Sequence, residues 1–372
     1  MNTDWAASLA AQVARVDLGD LPGGPPERIR AFQRGLLLSQ TLPRPAIGQS
    51  PHEVVHRHDK LVVRYYAPTQ VHPGRLPVLI VPSLINKAAV CDLEPDRSLV
   101  RGLAARGHAV YLVDWGEPTA EDATEGVAYV LLELLQRSVD RVCRHARAPK
   151  LHLFGYCQGG TLAAMYAALR PARIGGLAVL NAPVRFADAG RFSRFVDPQT
   201  FDVDTQLDAD GLLPVGLLQA AFRLLDPMGN IDRYVAIDRA KDDPVRLQRV
   251  LARERWLEEN VPMAGTFARE FIRNAYQQDR LLAGTWDVAG EAVDLSAIVC
   301  PTFVLAARRD FIAPADACLP LATAVGATDV RVELLDGGHI GVVVGSFGPQ
   351  VLYPMLGDWF AAHGQPAGEA RP

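Results

Sequence analysis

The sequence has no long apolar run, no long basic run and no closely paired cysteines. About 20 consecutive apolar residues are needed to cross a bilayer, and no segment approaches that length, so we expect no transmembrane segment. The N-terminus contains Asp4 and Asp17 and lacks the basic and apolar regions of a secretory signal, which predicts a cytoplasmic protein. The formal net charge is -4, without a basic stripe, and this argues against nucleic acid as a partner.

Five cysteines make an odd count, and no two of them are spaced as Cys-x-x-Cys, so neither a disulfide framework nor a zinc site is indicated. The sequence also has no Walker or Rossmann glycine pattern and no cluster of His and Cys, so we expect neither a metal nor a cofactor. Four cysteines are interpreted as small buried apolar residues: Cys91, Cys143, Cys300 and Cys318. Cys157 has neighbours that set it apart.

Short apolar runs rich in β-formers alternate with segments of helical period, which predicts an α/β fold with a mostly parallel central sheet flanked by helices. Several of the runs are almost continuously apolar, as in strands that are covered on both faces. The predicted strands are "KLVVRYYAP", "PVLIVP", "HAVYLVDW", "KLHLFG", "GLAVLN", "PTFVLAA" and "VRVELLD". Helices are predicted for "EPDRSLVRGLAARG", "EGVAYVLLELLQRSVDRVCRHAR" and "GTLAAMYAALRPA".

The alternation of strands and helices divides the chain into four parts. We predict an N-terminal helical segment at 1–55, a core formed by 56–182 and 287–363, and a flexible tail at 364–372. Residues 183–286 interrupt the alternation with a loop-like acidic stretch and two helix-like stretches. This insertion is interpreted as a helical cap over the C-terminal edge of the sheet, where open α/β sheets bind ligands.

The stretch Gly155-Tyr-Cys-Gln-Gly159 fits the pattern G-x-S-x-G with cysteine in place of serine, and it lies between a predicted strand and a predicted helix. That context is typical of a nucleophile elbow, in which the nucleophile occupies a strained turn and the glycines allow strand and helix to cross closely. Cys157 is therefore the candidate nucleophile. The backbone N–H of Gln158, at the start of the helix, is one candidate donor to an oxyanion.

An acid and then a base follow the nucleophile in this arrangement. Asp310 lies just beyond a predicted strand, and His339 lies on a glycine-flanked loop beyond the next one. Asp114 and Asp336 are the alternatives to Asp310, but both are more typical of turn residues that bond to nearby backbone. The other eight histidines precede the sheet, open strands, end a helix or lie in the tail.

The second oxyanion donor is expected from the loop after the first central strand, "LIVPSLINKAAVCDL". A backbone amide near Leu84 to Ile85 is the candidate, and spacing alone leaves the choice open. Asn86 and Lys87 either shape this loop or are solvated polar residues.

Sulfur at the elbow favours acyl transfer. A cysteine acyl-enzyme is a thioester, close in free energy to an incoming acyl-CoA thioester, so the acyl group stays activated for attack by a hydroxyl group. The same nucleophile also serves in cysteine hydrolases.

The chain resembles the polyhydroxyalkanoate synthases, enzymes of the α/β-hydrolase fold that polymerise (R)-3-hydroxyacyl-CoA. The similarity spans about Val54 to Phe360. It is carried by "GYCQGG", "VPSLINKAAVCDLEPDRSLVRGLAARGHAVYLVDWGEP", "REFIRNAYQQDRLLAG", "RRDFIAP" and "GGHIGVVVG". The length of the chain resembles that of the catalytic subunits of the short two-subunit (class III/IV-like) synthases. In those classes, however, the residue before the catalytic cysteine is often smaller than Tyr156, and "PSLINK" is closer to the single-subunit enzymes.

The resemblance implies an acyltransferase that releases CoA through a covalent thioester on Cys157, with 3-hydroxybutyryl-CoA as the expected monomer. It implies His339 as the base, Asp310 as the residue that orients His339 or helps to activate the 3-hydroxyl, and the amides of Gln158 and Ile85 as the oxyanion hole. CoA is then part of the substrate and a product. An accessory subunit, a homodimer and association with polyester granules are further implications.

Two other interpretations remain. The first is a cysteine-dependent hydrolase, either an acyl-CoA thioesterase or an intracellular polyester depolymerase. The second is an inactive hydrolase-like protein that binds or coats granules, against which the complete set of Cys157, Asp310 and His339 argues.

Overall fold

A computed structural model of the protein describes residues 27–187 and 190–364. The first half of the predicted N-terminal segment, and all but the first residue of the predicted flexible tail, lie outside these ranges. Within them, the N-terminal segment holds helix α1, Glu27–Thr41. The predicted end of the N-terminal segment at residue 55 is wrong, because a strand already begins at Glu53. The sequence of this strand, "EVVHRH", is polar and largely exposed, so it lacks the apolar signal of the central strands.

The central sheet has eight strands in the order β1-β2-β4-β3-β5-β6-β7-β8. Strand β2 pairs antiparallel with β1 and with β4, and the remaining neighbours are parallel. The mostly parallel α/β sheet predicted from the sequence is therefore confirmed. The strands are β1 Glu53–His58, β2 Leu61–Tyr66, β3 Val78–Val81, β4 Val110–Asp114, β5 Leu151–Tyr156, β6 Ile174–Leu180, β7 Thr302–Ala307 and β8 Val330–Leu335.

Strands β3, β5 and β7 are buried along their whole length, which explains why their sequences are continuously apolar. Successive side chains point to opposite faces of the sheet. Leu79 and Leu153 accordingly belong to one hydrophobic cluster, and Ile80 and Phe154 belong to another. The sheet thus lies between two apolar layers, and its central strands form a rigid platform for the loops at their ends.

Helices flank the sheet on both faces and also fill the insertion between β6 and β7. They are α2 Leu99–Ala104, α3 Val127–Tyr129, α4 Gln136–Ala146, α5 Gln158–Leu169, α6 Gly190–Phe195, α7 Val215–Leu225, α8 Pro227–Ala240, α9 Pro244–Glu258, α10 Gly265–Phe271, α11 Ala315–Cys318, α12 Leu321–Ala324, α13 Gly341–Val344 and α14 Tyr353–Ala362. Three π-helical stretches continue or precede these helices, at Val130–Leu135, Ile272–Gln277 and Gly348–Leu352.

The helix predicted over "EPDRSLVRGLAARG" is shorter than expected. Two short strands, Asp92–Glu94 and Arg97–Ser98, pair with each other before it begins. The Ser98 hydroxyl then accepts the backbone N–H of Arg101 and caps α2. The residues predicted as the first turn of the helix instead form the turn between these two strands.

The predicted cap region, 183–286, contains α6 to α10. The acidic stretch predicted as a loop ends in a short strand, Leu212–Leu213, which pairs antiparallel with Met263–Ala264. Helices α6, α7 and α8 lie in a part of the insertion for which no helix is predicted from the sequence. The role of residues 183–286 as a cap subdomain over the sheet stays a prediction.

Helix α1 packs against α8 of the insertion. A Cβ atom at Gly35 would lie 1.8 Å from the backbone oxygen of Tyr234, so only glycine allows this approach. The rings of Phe32 and Tyr234 meet edge to face at 5.5 Å, and Arg34 donates to Asp238 over 2.8 Å. The N-terminal helix is therefore attached to the insertion.

Among the described residues, no helix combines the length and apolar character that a membrane crossing requires.

Candidate active site

Cys157 lies between the end of β5 and the start of α5, with a backbone φ of 57° and ψ of -134°. A positive φ is strained for a residue with a side chain and marks the tight turn of an elbow. A Cβ atom at Gly159 would lie 2.3 Å from the backbone oxygens of both Val81 and Pro82, and one at Gly155 would lie 2.3 Å from the Cα of Gly160. The glycines are therefore required by the close crossing of β5, α5 and the end of β3.

His339 lies on the loop between β8 and α13, and Asp310 lies on the loop after β7. The Nδ1 atom of His339 is 2.6 Å from Oδ2 of Asp310, and both side chains are buried. Oδ1 of Asp310 accepts the backbone N–H groups of Ile312 and Ala313, each over 2.9 Å. Both carboxylate oxygens are thus occupied, and one of them fixes the imidazole.

The two alternatives to Asp310, Asp114 and Asp336, contact other residues. Asp114 forms an ion pair with Arg64 and accepts the backbone N–H of Gly116. Asp336 is exposed and pairs with Arg309 over 2.8 Å. Neither has a hydrogen bond to His339 in the described part of the chain, so Asp310 is the carboxylate that contacts the histidine.

The surroundings of His339 favour its protonated form. Burial alone would lower the pKa of the imidazole, but the negative charges of the Asp310 carboxylate and of a Cys157 thiolate outweigh burial. Together with the hydrogen bond between the imidazole and Asp310, these charges raise the pKa of His339. A cationic imidazole at this position has a proton that it can give to a leaving group.

The backbone of the histidine loop is held by two side chains. The Tyr156 hydroxyl donates to the His339 carbonyl over 3.0 Å, and Nδ2 of Asn181 donates to the same carbonyl over 3.1 Å. Oδ1 of Asn181 accepts the N–H of Ala307 at the end of β7. Asn181 thereby joins the ends of β6 and β7 to the loop that contains His339. Sequence reasoning missed it, and the only signal was an asparagine directly after the run "GLAVL".

The loop after β3 offers Ile85 rather than Leu84 as a free amide. The Leu84 N–H donates to Oε1 of Gln158 over 3.2 Å. The Ile85 carbonyl accepts the N–H of Val261 and the side chain of Asn260. No oxygen of the described residues accepts the Ile85 N–H, which leaves it available. The roles of Gln158 and Ile85 as oxyanion donors stay predictions.

Asn86 and Lys87 contact the insertion through their backbone. Asn86 forms an isolated antiparallel bridge with Asn260, and Nε1 of Trp256 donates to the Lys87 carbonyl over 2.9 Å. Residues of the insertion therefore hold the loop in shape.

Cys157 and His339 line a cavity of about 790 Å³. This size accommodates a substantial organic ligand. The loop after β3 and helices α7, α8 and α9 of the insertion contribute much of the wall, and the loop after β7 and helix α13 contribute further residues. Its apolar lining includes Ile85, Val90, Leu93, Phe222 and Trp256, and it also contains arginines that sequence reasoning did not single out.

The other four cysteines lie outside this cavity. Cys91, Cys143 and Cys318 are buried, as predicted, whereas Cys300 is only half-buried. Burial is the main cause that raises the pKa of each of the four thiols, which keeps them protonated and unreactive.

In the described ranges, one group of three carboxylates has oxygens within 4.8 Å of one another: Asp59, Asp122 and Glu125. Asp122 already forms an ion pair with Lys60 and accepts N–H and O–H groups of Thr119. The absence of a metal stays a prediction.

Two family models match the chain. The model of the alpha/beta hydrolase fold matches residues 77–346. The model of the N-terminus of poly-beta-hydroxybutyrate polymerase (PhaC) matches residues 45–103. The first agrees with the strand order of the sheet, so the predicted α/β-hydrolase fold is confirmed.

Characterised relatives agree with the second match. The poly(3-hydroxyalkanoate) polymerase subunit PhaC of Thiocystis violacea is 33% identical over 84% of this chain and 88% of its own length. The protein of the same name from Haloferax mediterranei is 31% identical over 90% of this chain and 68% of its own length. Among solved structures, a hydrolase from Pseudomonas aeruginosa PA01 has 15% identity and a TM-score of 0.49, covering 84% of this chain and 99% of that one. From the sequence relatives, the chain belongs to the poly(3-hydroxyalkanoate) polymerase family.

Proposed function

We propose that the protein is an acyltransferase that polymerises (R)-3-hydroxyacyl-CoA into polyhydroxyalkanoate and releases CoA. The observation that carries the proposal is a cysteine at the elbow, next to a buried His339–Asp310 pair, in a member of a polymerase family. Serine at this position would form an ester, from which building a further ester gains little. Cysteine forms a thioester that keeps the acyl group activated.

In the first step, His339 takes the proton of the Cys157 thiol, and the sulfur attacks the carbonyl carbon of the acyl-CoA. The N–H groups of Gln158 and Ile85 stabilise the negative oxygen that forms. The C–S bond to CoA then breaks, and the sulfur of CoA leaves with the proton from His339. The acyl group remains on Cys157 as a thioester.

In the second step, His339 takes the proton of a 3-hydroxyl group, whose oxygen attacks the thioester on Cys157. The bond to sulfur breaks, an ester bond forms, and the Cys157 sulfur takes back the proton from His339. Because both oxygens of Asp310 are already engaged, the contacts favour Asp310 as the residue that orients His339 over a direct role in activating the hydroxyl group.

The test is incubation of the purified protein with (R)-3-hydroxybutyryl-CoA while free CoA and polymer turbidity are followed together. We expect CoA release with growing turbidity and chains of many units. Butyryl-CoA is the control substrate, because it can acylate Cys157 but has no hydroxyl group to extend a chain. Release of CoA with only monomeric hydroxy acid would instead support a thioesterase and would reject the polymerase.

Replacing Asp310 with asparagine should lower kcat by roughly 100-fold or more, because the imidazole loses its orienting carboxylate. It should also move the alkaline limit of kcat/KM to lower pH. The Asp310 charge raises the pKa of His339, so without it the imidazolium that protonates the leaving CoA is lost at a lower pH. The measurement is the pH profile of CoA release.

Asp336→Asn is the matched control, because Asp336 is exposed and pairs with Arg309. It should leave the profile unchanged. An alkaline limit that does not move in Asp310→Asn would contradict the assigned role.

Two further proposals accompany this function. The protein works with an accessory subunit or as a homodimer, and it associates with the surface of the polyester that it makes. Light scattering before and after addition of monomer tests the assembly state. Sedimentation of the protein with the polymer tests the association, and protein that stays in the supernatant would contradict it.

A further inference from the structure

Six arginines line the cavity that contains Cys157, although the whole chain has a net charge of -4. They are Arg97, Arg223, Arg233, Arg246, Arg249 and Arg253. Four carboxylates share the lining: Glu94, Asp226, Asp232 and Glu254. Cations therefore outnumber anions in the wall, and the excess indicates an anionic ligand.

Four of the arginines are engaged within the protein. Arg233 and Arg253 both form ion pairs with Glu254. Arg249 pairs with Asp96, and Arg97 donates to the carbonyl of Val344. These contacts hold the four guanidinium groups in place. The charges of Arg233, Arg253 and Arg249 are also largely offset by the carboxylates with which they pair.

Arg223 and Arg246 differ from the other four. Neither side chain has an ion pair or a hydrogen bond with any residue in 27–187 or 190–364, and both are exposed. Arg223 lies on α7 and Arg246 lies on α9, so the two come from different helices to the same cavity. Arg246, Arg249 and Arg253 have helical spacing and share one face of α9. The cavity wall thus has two unpaired guanidinium groups beside a row of further arginines.

A guanidinium group presents a planar fork of N–H donors that matches phosphate, and it binds phosphate oxygens in pairs. The other part of the lining is apolar and contains the nucleophile. A ligand that suits both parts has phosphates at one end and an acyl group at the other. The nucleotide and acyl ends of an acyl-CoA have this chemistry.

We propose that Arg223 and Arg246 bind the phosphates of the CoA nucleotide while the acyl group reaches Cys157. The proposal rests on the proposed function, because it takes acyl-CoA as the substrate. It assigns the two arginines to substrate selection. Neither of them takes part in the bond changes at Cys157.

The kinetic test uses Arg223→Gln, Arg246→Gln and the double variant. Each is assayed with (R)-3-hydroxybutyryl-CoA and with the N-acetylcysteamine thioester of the same acid, which has no phosphate. The ratio of kcat/KM for the CoA thioester to kcat/KM for the short thioester should fall by roughly tenfold for each arginine removed. The loss should come mainly from a higher KM for the CoA thioester.

Arg239→Gln is the matched control. Arg239 is an exposed arginine of α8 that does not line the cavity. It should leave the ratio unchanged, because the overall charge changes equally but the cavity does not. A ratio that stays constant in the double variant, or falls as much in Arg239→Gln, would overturn the proposal.

Binding of free CoA separates this proposal from the proposed function, because it needs no turnover. Calorimetric titration of the full chain with CoA and with pantetheine should show that the arginine variants weaken CoA binding roughly tenfold each and leave pantetheine binding unchanged. If CoA binding depends on the two arginines but no thioester is turned over, the proposed function fails, while the assignment of Arg223 and Arg246 to the CoA phosphates stands. If thioesters are polymerised but CoA binding is the same in all variants, this proposal fails alone.

Discussion

Cys157→Ala should lose CoA release by a factor of at least about 10⁴, because removal of a nucleophile removes the covalent step. No other described residue that lines the cavity has a thiol. The Cys157 side chain is small, and its replacement by alanine removes none of the backbone contacts that shape the elbow, so the fold should be kept. The measurement is the rate of CoA release with a thiol reagent, together with a circular dichroism spectrum to verify folding.

Cys300→Ala is the control for this variant. Cys300 is half-buried, lies outside the cavity and has a pKa that burial raises to about 11. It should retain full activity. A Cys157→Ala protein that released CoA at the rate of the unchanged chain would refute Cys157 as the nucleophile. The proposed thioester on Cys157 would then not form in this protein.

Gly159→Ala should destabilise the protein by about 3 kcal/mol or more, because the new methyl group has no space. It would lie 2.3 Å from two backbone oxygens, those of Val81 and Pro82. These atoms belong to the end of a buried central strand and the residue after it, so they cannot move aside as the end of a flexible side chain would. The free energy of unfolding from urea titration, or the yield of folded protein, measures the effect.

Gly216→Ala is the matched control. Gly216 lies in α7 and a Cβ atom there would contact nothing within 4 Å. Alanine favours a helix over glycine by about 1 kcal/mol, so this change should stabilise the protein slightly. Equal stability of Gly159→Ala and the unchanged chain would show that α5 is not packed as closely on β3 as described.

The sequence predicts those features that local patterns specify. The central strands were predictable because their burial on both faces requires continuous apolar runs. The glycines around Cys157 were informative because close backbone crossings exclude other residues. Asp310 and His339 could be selected because chain order and strand ends restrict where an acid and a base can lie.

Other features depend on contacts between distant segments and were missed. Strand β1 is a polar edge strand, so its sequence resembles a loop. Asn181 acts through a hydrogen bond to a loop 158 positions later. Arg223 and Arg246 belong to one cavity only because α7 and α9 both line it. The periodicity of a single sequence cannot predict which distant segments lie together, because it describes one helix or strand at a time.

The attachment of α1 to α8 has a consequence for motion of the insertion. The chain after α1 continues along α9, where Arg44 pairs with Glu258 over 2.9 Å. It reaches the core at Gly48, whose N–H donates to the Asp92 carbonyl over 2.8 Å, and the Ser50 N–H donates to the Asp92 carboxylate over 3.0 Å. A third segment of chain therefore joins the insertion to the core, in addition to the two ends of the insertion itself. We therefore expect a rigid-body movement of the insertion that widens the cavity to carry α1 with it and to bend the chain just before Gly48.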